Sequence, residues 1–260
     1  MLSKWRHVFW MGLLLFLWQL VAWSEVFSPL IFPSLSVVFK YLWLAIKSGE
    51  IVKEILFSLK LVLQGLGVGF FLAVIFVSLS KLSKTFEGFL ETMTALAHPL
   101  PGIALLPLII LWFGTGTKSI IFIVIHSVVW PIVLNLSAGF KSIPQIYLEV
   151  GENFGLTRVG IIWNVMIPAS LPFLMSGLRI GWARAWRALI SAEMIFGATG
   201  GSGGLGWYIF KKRVFMDTPG LFAGLITIIL VGLFVEYFIF KKLEKALKIS
   251  RHDNLEIKVR

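Results

Sequence analysis

Six stretches of mainly apolar residues, at or near the length that crosses a bilayer, occupy most of this 260-residue chain. They run over about 8–23, 56–79, 89–113, 119–139, 171–195 and 221–240. A spanning helix needs about 20 mainly apolar residues. Inside the hydrocarbon each backbone N–H and C=O must be satisfied within the protein, which restricts the chain to helices or a closed barrel. The runs are too long and too continuously apolar for barrel strands, so the sequence predicts an all-α polytopic membrane protein with about six transmembrane helices. Composition agrees: 58 % of residues are hydrophobic and 14 % are charged, against roughly 25 % charged in soluble domains. The absence of cysteine excludes disulfides and thiolate metal sites.

Details within the runs qualify this pattern. The first follows Lys4, Arg6 and His7 and could pass for a signal peptide, with Ala22 and Ser24 as small residues before a cut. Its aromatic-rich core reads instead as a retained anchor. Residues 34–47 place Leu35, Val38, Phe39, Leu42 and Ile46 at helical spacing, which predicts an amphipathic helix on the membrane interface. Gly65, Gly67 and Gly69 in the second run would allow close helix packing. Pro99, Pro101 and Pro107 in the third remove three backbone donors, so that span is expected to be broken.

The formal net charge of +11 would suggest nucleic acid in a soluble protein. Here no basic run is long or interleaved with exposed aromatics, and the cations read as membrane anchors. With the N-terminus inside, the inner face receives Lys4, Arg6, Lys81, Lys84, Lys141, Arg158 and the cluster beginning Lys241-Lys242. The outer face receives Lys118 and Lys211-Lys212-Arg213, which counts against the assignment. The inner side still prevails, and both termini are expected inside.

Residues 143–168, between the fourth and fifth runs, are long for a connection between membrane helices. They have helix-forming character from Gln145 to Phe154, a stop at Gly155, and a second amphipathic stretch ending at Pro168. Glu149-Val150-Gly151, then Gly155 after three residues, then Val165-Met166-Ile167-Pro168 after nine more, resembles the E-A-A…G…I-x-L-P signature of bacterial ABC importer permeases. Val150 and Gly151 replace the alanines of that pattern, and Glu152 stands where a neutral or basic residue is expected. The segments "PLPGIALLPLIILWFGTG" (Pro99–Gly116), "SGLRIGWARAWRALISAEMIFGA" (Ser176–Ala198) and "GGLG" (Gly203–Gly206) are similar to the sulfonate, taurine and nitrate branch of that family.

The resemblance implies a type I importer transmembrane fold, with 1–260 as one transmembrane domain in a bacterial cytoplasmic (inner) membrane. It implies a second permease copy, most simply a homodimer, and two cytoplasmic ABC ATPase subunits that bind the ATP and magnesium. It further implies an extracytoplasmic solute-binding protein, and no cofactor in this chain. The coupling helix that docks on the ATPase would then comprise Glu149, Val150, Gly151, Glu152, Asn153, Phe154, Gly155 and Leu156, with Pro168 closing the motif. Solutes of such permeases include sulfonates, nitrate, bicarbonate and vitamin precursors.

Arg179, Arg184 and Arg187 lie in the fifth run and Glu193 near its outer end. A charge at the bilayer centre costs roughly 2.5–3.5 kcal/mol on insertion scales, so such residues face protein or water. Arg184 and Arg187 are about 60° apart around a helix and Arg179 is about 80° from Arg187, which makes one face cationic. Two readings stay open: a pathway lining for an anionic or polar solute, or structural pairing, for instance of Arg187 with Glu193, Glu236 or a partner subunit. Arg184 is the better candidate for specificity. His126, Asn135 and Glu236 read as satisfied helix-packing contacts.

Other chemistry is missing from the sequence. Gly114-Thr-Gly-Thr-Lys118-Ser119 fails as a phosphate-binding loop because Thr117 separates glycine from lysine. "GATGGSGGLG" contains G-x-G-x-x-G at Gly201, Gly203 and Gly206, but a dinucleotide fingerprint follows a strand within a βαβ unit. Residues 197–219 read instead as an extracytoplasmic glycine-rich loop. The sequence thus predicts a transport subunit without its own ATPase site. A secondary transporter would need an ion-coupling carboxylate and often an internal repeat. A membrane enzyme would need a paired acid and base or a metal cluster, and neither pattern is visible.

Overall fold

The computed structural model describes residues 2–197 and 203–247. Every regular element among them is helical: α1 (Leu2–Trp23), α2 (Leu35–Lys47), α3 (Glu50–Leu82), α4 (Lys84–Ala97), α5 (Leu106–Phe113), α6 (Thr117–Lys141), α7 (Gln145–Asn153), α8 (Arg158–Ile161), α9 (Ile167–Ala169), α10 (Leu171–Phe196), α11 (Gly204–Val214), α12 (Thr218–Phe234) and α13 (Lys241–Ala246). Three stretches are long and apolar enough to cross a membrane: Glu50–Leu82, Thr117–Lys141 and Thr218–Ala246. The number rises to five if each of two bent pairs is one span, and Val8–Trp23 is a shorter apolar helix. The six expected runs therefore fall on three long helices, two bent pairs and one short helix.

The broken third span is a corner of 92° between α4 and the segment Gly102–Phe113. Pro99 and Pro101 occupy the corner, where neither can donate to a helical ladder. Pro107 falls in the first turn of α5, a position whose N–H has no helical partner in any case.

The chain falls into two compact units, residues 1–60 with 190–230 and residues 61–189 with 231–260. In the first, the indole of Trp18 donates to the Pro33 carbonyl at 3.1 Å, and the Gln19 side-chain oxygen accepts from the Leu35 amide at 3.1 Å. Phe32 packs tilted and Phe222 edge-on against Trp18, which straps the Pro29–Pro33 segment to helices. The amphipathic α2 buries Val38, Leu42 and Ala45, whereas Phe39 and Ile46 of the expected stripe are exposed. The helix is apolar on more than one side, so one apolar face stays outward after the other has packed.

The glycine-rich segment requires a correction. Residues 198–202 lie outside the described residues, but 204–214 form helix α11 rather than loop. The first amides of a helix lack intrahelical partners and attract anions. Here the protein supplies its own acceptors. Gly203 and Gly204 donate to Glu54 Oε2 at 3.2 and 2.8 Å, Leu205 to Ser58 Oγ at 2.9 Å, and Gly206 to Glu193 Oε2 at 2.9 Å. Gly204 has φ +79°, a conformation that L side chains rarely adopt, and the Glu193 carboxylate occupies the space a Cβ would need.

The outer basic cluster has a local explanation in the same unit. Lys212 lies 3.2 Å from Glu50 and 3.3 Å from Asp217, accompanied by a 2.6 Å hydrogen bond to the Tyr41 hydroxyl. Lys211 reaches Glu50 at 3.7 Å. Burial works to lower the Lys212 pKa, but hydrogen bonds to Tyr41 and Glu50 and the field of Tyr208 together hold it above the usual lysine value. Burial alone would raise the Asp217 carboxyl, yet hydrogen bonds from Tyr41, the Gly220 amide and Lys212 bring it below its ordinary value. These cations are where they are because acids stand beside them.

In the second unit α6 is the most enclosed helix, burying Ile120, Ile123, Val124, Val128, Ile132 and Leu136. Gly65 and Gly69 let α3 approach it: a Cβ on Gly65 would lie 2.7 Å from Val124 Cβ, and one on Gly69 would lie 2.9 Å from Val128 Cβ. Gly67 faces open space, so only two of the three glycines serve this packing. Asn135 donates to the Pro131 carbonyl at 2.8 Å. His126 departs from expectation, since its ring nitrogens make no hydrogen bond among the described residues. Its ring meets Trp130 edge-on at 6.2 Å.

Candidate functional site: the α7–α8 arm and the arginines of α10

Helix α7 begins after Pro144, whose extended backbone (φ −59°, ψ 135°) breaks from the preceding helix. It ends in a Schellman turn. The Gly155 amide donates to the Glu152 carbonyl at 2.8 Å and the Leu156 amide to the Gly151 carbonyl at 3.1 Å. Gly155 makes this possible with φ +75°. Leu156 then folds over the buried Gly151, where a Cβ would meet Ile161, Leu156 and Val165 at 3.4–3.6 Å. Thr157 caps α8 by accepting from the Gly160 amide at 3.1 Å. The result is a two-helix arm with one packed side.

Its other side is exposed. Ile146, Tyr147, Val150, Val159 and Trp163 are all open, and Phe154 is 83 % exposed. Glu149 and Glu152 are exposed beside them. The nine-residue α7 and four-residue α8 are too short to span lipid. An apolar patch on such a segment marks a contact surface.

Pro168 explains how the arm joins the membrane helix. Proline lacks the N–H for the ladder, and its ring collides with the carbonyl four residues back. The helix widens into a π turn over Ile162–Met166 just before it, the form in which α-helices absorb such a mismatch. The chain then bends by 70° between Arg158–Ala169 and α10, with Ser170 buried at the bend. Glu149 to Leu156 and Pro168 are thus brought into one arm that continues into α10.

The arginines of α10 have different partners. Arg179 pairs with Glu236 and also with Glu244 at 3.2 Å, and a π turn over Val235–Phe240 carries Glu236 into that position. Glu236 is therefore a partner of Arg179. Arg184 donates to the His98 carbonyl at 3.2 Å and lies 3.2–3.3 Å from both ring nitrogens of His98. It braces the corner beside Pro99. Arg187 is exposed and donates to the Ala183 carbonyl of its own helix at 3.1 Å. Glu193 is fully buried and accepts from Ser58 at 2.8 Å as well as from Gly206.

Four partners in these contacts were not singled out from the sequence: Glu54, Ser58, His98 and Glu244. Glu54 and Ser58 sit four residues apart at the start of an apolar helix, a spacing that puts both on one face and could have marked them. His98 and Glu244 carry no such local signal. Among the described residues no group of three His, Asp or Glu is placed to hold a metal ion.

Comparison with known proteins agrees with this geometry. Residues 65–249 match the family described as binding-protein-dependent transport system inner membrane component. The chain is 31 % identical over 231 residues to the taurine transport system permease protein TauC of Escherichia coli, covering 87 % of this chain and 82 % of the relative. It is 29 % identical over 157 residues to the nitrate import permease protein NrtB of Synechocystis, covering 60 % and 56 %. An all-helical chain with long apolar helices and an exposed two-helix arm thus belongs to the binding-protein-dependent transport inner membrane components, as a multi-pass permease subunit of an ABC importer in the cytoplasmic membrane, in the sulfonate, taurine and nitrate type of branch.

Proposed function

We propose that the α7–α8 arm is the coupling element, docking into a cleft on a separate ATPase subunit that binds ATP and magnesium. The observation that carries this reading is the arm itself: a Schellman turn at Gly155, an exposed apolar face capped by Phe154, and a bent but continuous path through Pro168 into α10. A short rigid knob transmits displacement as a body. The exposed Glu149 and Glu152 supply polar contacts at its rim. Two copies of the chain would form the solute pathway, fed by an extracytoplasmic binding protein, and the chain itself would hydrolyse nothing.

The solute is small and anionic or polar, in the class of sulfonates, nitrate, bicarbonate or vitamin precursors. The exposed Arg187 supports this reading as a cation of α10, while Arg184 is bound to His98 at the corner. Arg179, clasped by two glutamates, serves structure instead. Co-purification tests the coupling assignment: the ATPase encoded with this permease should remain bound to the wild-type chain in detergent and be lost from Phe154→Ser. Undiminished retention by that variant would remove the arm from the interface.

A further inference from the structure

The second unit contains a cavity of about 390 Å³ bounded by the end of α3, residues of α4 from Glu87 onward with His98 and Pro99, and the end of α6. We propose that it is a lipid site, taking a phospholipid whose zwitterionic headgroup carries a primary ammonium. Its lining combines two ion pairs with a mainly apolar wall. At the rim, Lys81 pairs with Glu87 at 2.6 Å and Lys141 with Glu91 at 3.0 Å. Lys81 and Lys141 close the last turns of α3 and α6, while Glu87 opens α4. The four charges therefore sit where helices leave the membrane, at the level of lipid headgroups. Leu90, Ala95, Val133 and Leu134 line the wall beside Thr94, Ser137 and His98.

The two ion pairs put full charges at the rim, while Leu90, Ala95, Pro99, Val133, Leu134 and Ala138 make most of the remaining lining apolar, so a phospholipid can set its headgroup against the charges and its chains against the rest. The rim also discriminates among headgroups. Two lysines faced by two glutamates are neutral overall, so an anionic headgroup meets no unpaired cation. An ammonium has three donors and a carboxylate about four acceptor sites, and each rim pair uses few of them. A phosphate accepts from a lysine while a primary ammonium donates to a glutamate, extending both pairs without breaking either. A choline headgroup has no N–H to donate. The inference stands independently of the coupling reading, because the arm lines no part of this cavity.

The test is lipid retention by the full-length chain, purified and titrated with ethanolamine, choline or glycerol phospholipids of matched acyl chains, and read by native mass spectrometry. The ethanolamine lipid should be retained about tenfold better than the choline lipid, as for one hydrogen bond to a charged group. Glu91→Gln leaves Lys141 without its acid and should move the preference toward the anionic glycerol lipid. Both outcomes support the site. Equal retention of ethanolamine and choline lipids, an unchanged preference in Glu91→Gln, or displacement of the lipid by millimolar taurine as a free zwitterion each overturn it. Undiminished ATPase binding by an arm variant, with lipid retention intact, would count against the coupling reading alone.

Discussion

The amide of Gly206 donates to the Glu193 carboxylate at 2.9 Å, and this bond sets how the glycine-rich segment folds. A spacing that in another fold cradles a pyrophosphate here receives the protein's own carboxylates. Glu193→Ala would orphan the Gly206 amide in a buried place and deprive Ser58 of its acceptor, at about 1–3 kcal/mol for each. Glu193→Gln keeps an acceptor oxygen and should cost much less. Thermal unfolding of the detergent-solubilised protein measures both, and equal losses would show that shape rather than acceptor chemistry matters.

The arm makes opposite predictions at its two glycines, Gly151 and Gly155. At Gly151 the backbone is helical and a methyl group meets neighbours at ordinary contact distance, so Gly151→Ala should stabilise by roughly 0.5–1 kcal/mol. At Gly155 φ is +75°, and Gly155→Ala should destabilise by about 1–2 kcal/mol. Hydrogen exchange of the α7 amides reads both changes locally.

Arg184 can act by charge or by geometry, and lysine separates the two. Only the guanidinium fork reaches the His98 ring and carbonyl together. Arg184→Leu and Arg184→Lys should both slow uptake about tenfold, as expected for losing a hydrogen bond from a charged group. Full rescue by lysine would assign the residue to pathway electrostatics rather than to the corner.

Acid stability should depend on Asp217. Its folded carboxyl lies below the ordinary value of 3.8, so its stabilising contribution is complete above that pH and is lost as pH falls through the lowered folded value. Lys212 is raised above 10.5, so its contribution is complete below that pH and fades as pH rises through the folded value. The cluster is therefore intact across the neutral range. Asp217→Asn should flatten the acid limb of an unfolding-versus-pH curve and leave the shape near pH 7 unchanged.

The features legible in the sequence were those set by local rules. Apolar length located the membrane helices, prolines located the corner after α4, and the motif spacing located the arm from Glu149 to Pro168. What remained hidden depended on pairing across long separations. Glu236 looked solitary because its partner Arg179 is 57 positions away, and Glu54 meets Gly204 across 150. The helix at 204–214 was missed because its glycines signal a loop until their amides are given acceptors. Which residues of the apolar side of α2 pack inward, Val38, Leu42 and Ala45 rather than Phe39 and Ile46, was not legible because periodicity identifies an apolar side but not what covers it.

On the proposed reading the arm transmits the ATPase stroke to α10. That reading is tested most directly by measuring ATP hydrolysis and solute uptake together in proteoliposomes containing the permease, its ATPase and the loaded binding protein. The double variant Glu149→Ala, Gly155→Val should insert in the membrane normally, lose stimulation of hydrolysis by the loaded binding protein, and lose uptake. Wild-type stimulation and uptake in that variant would contradict the account.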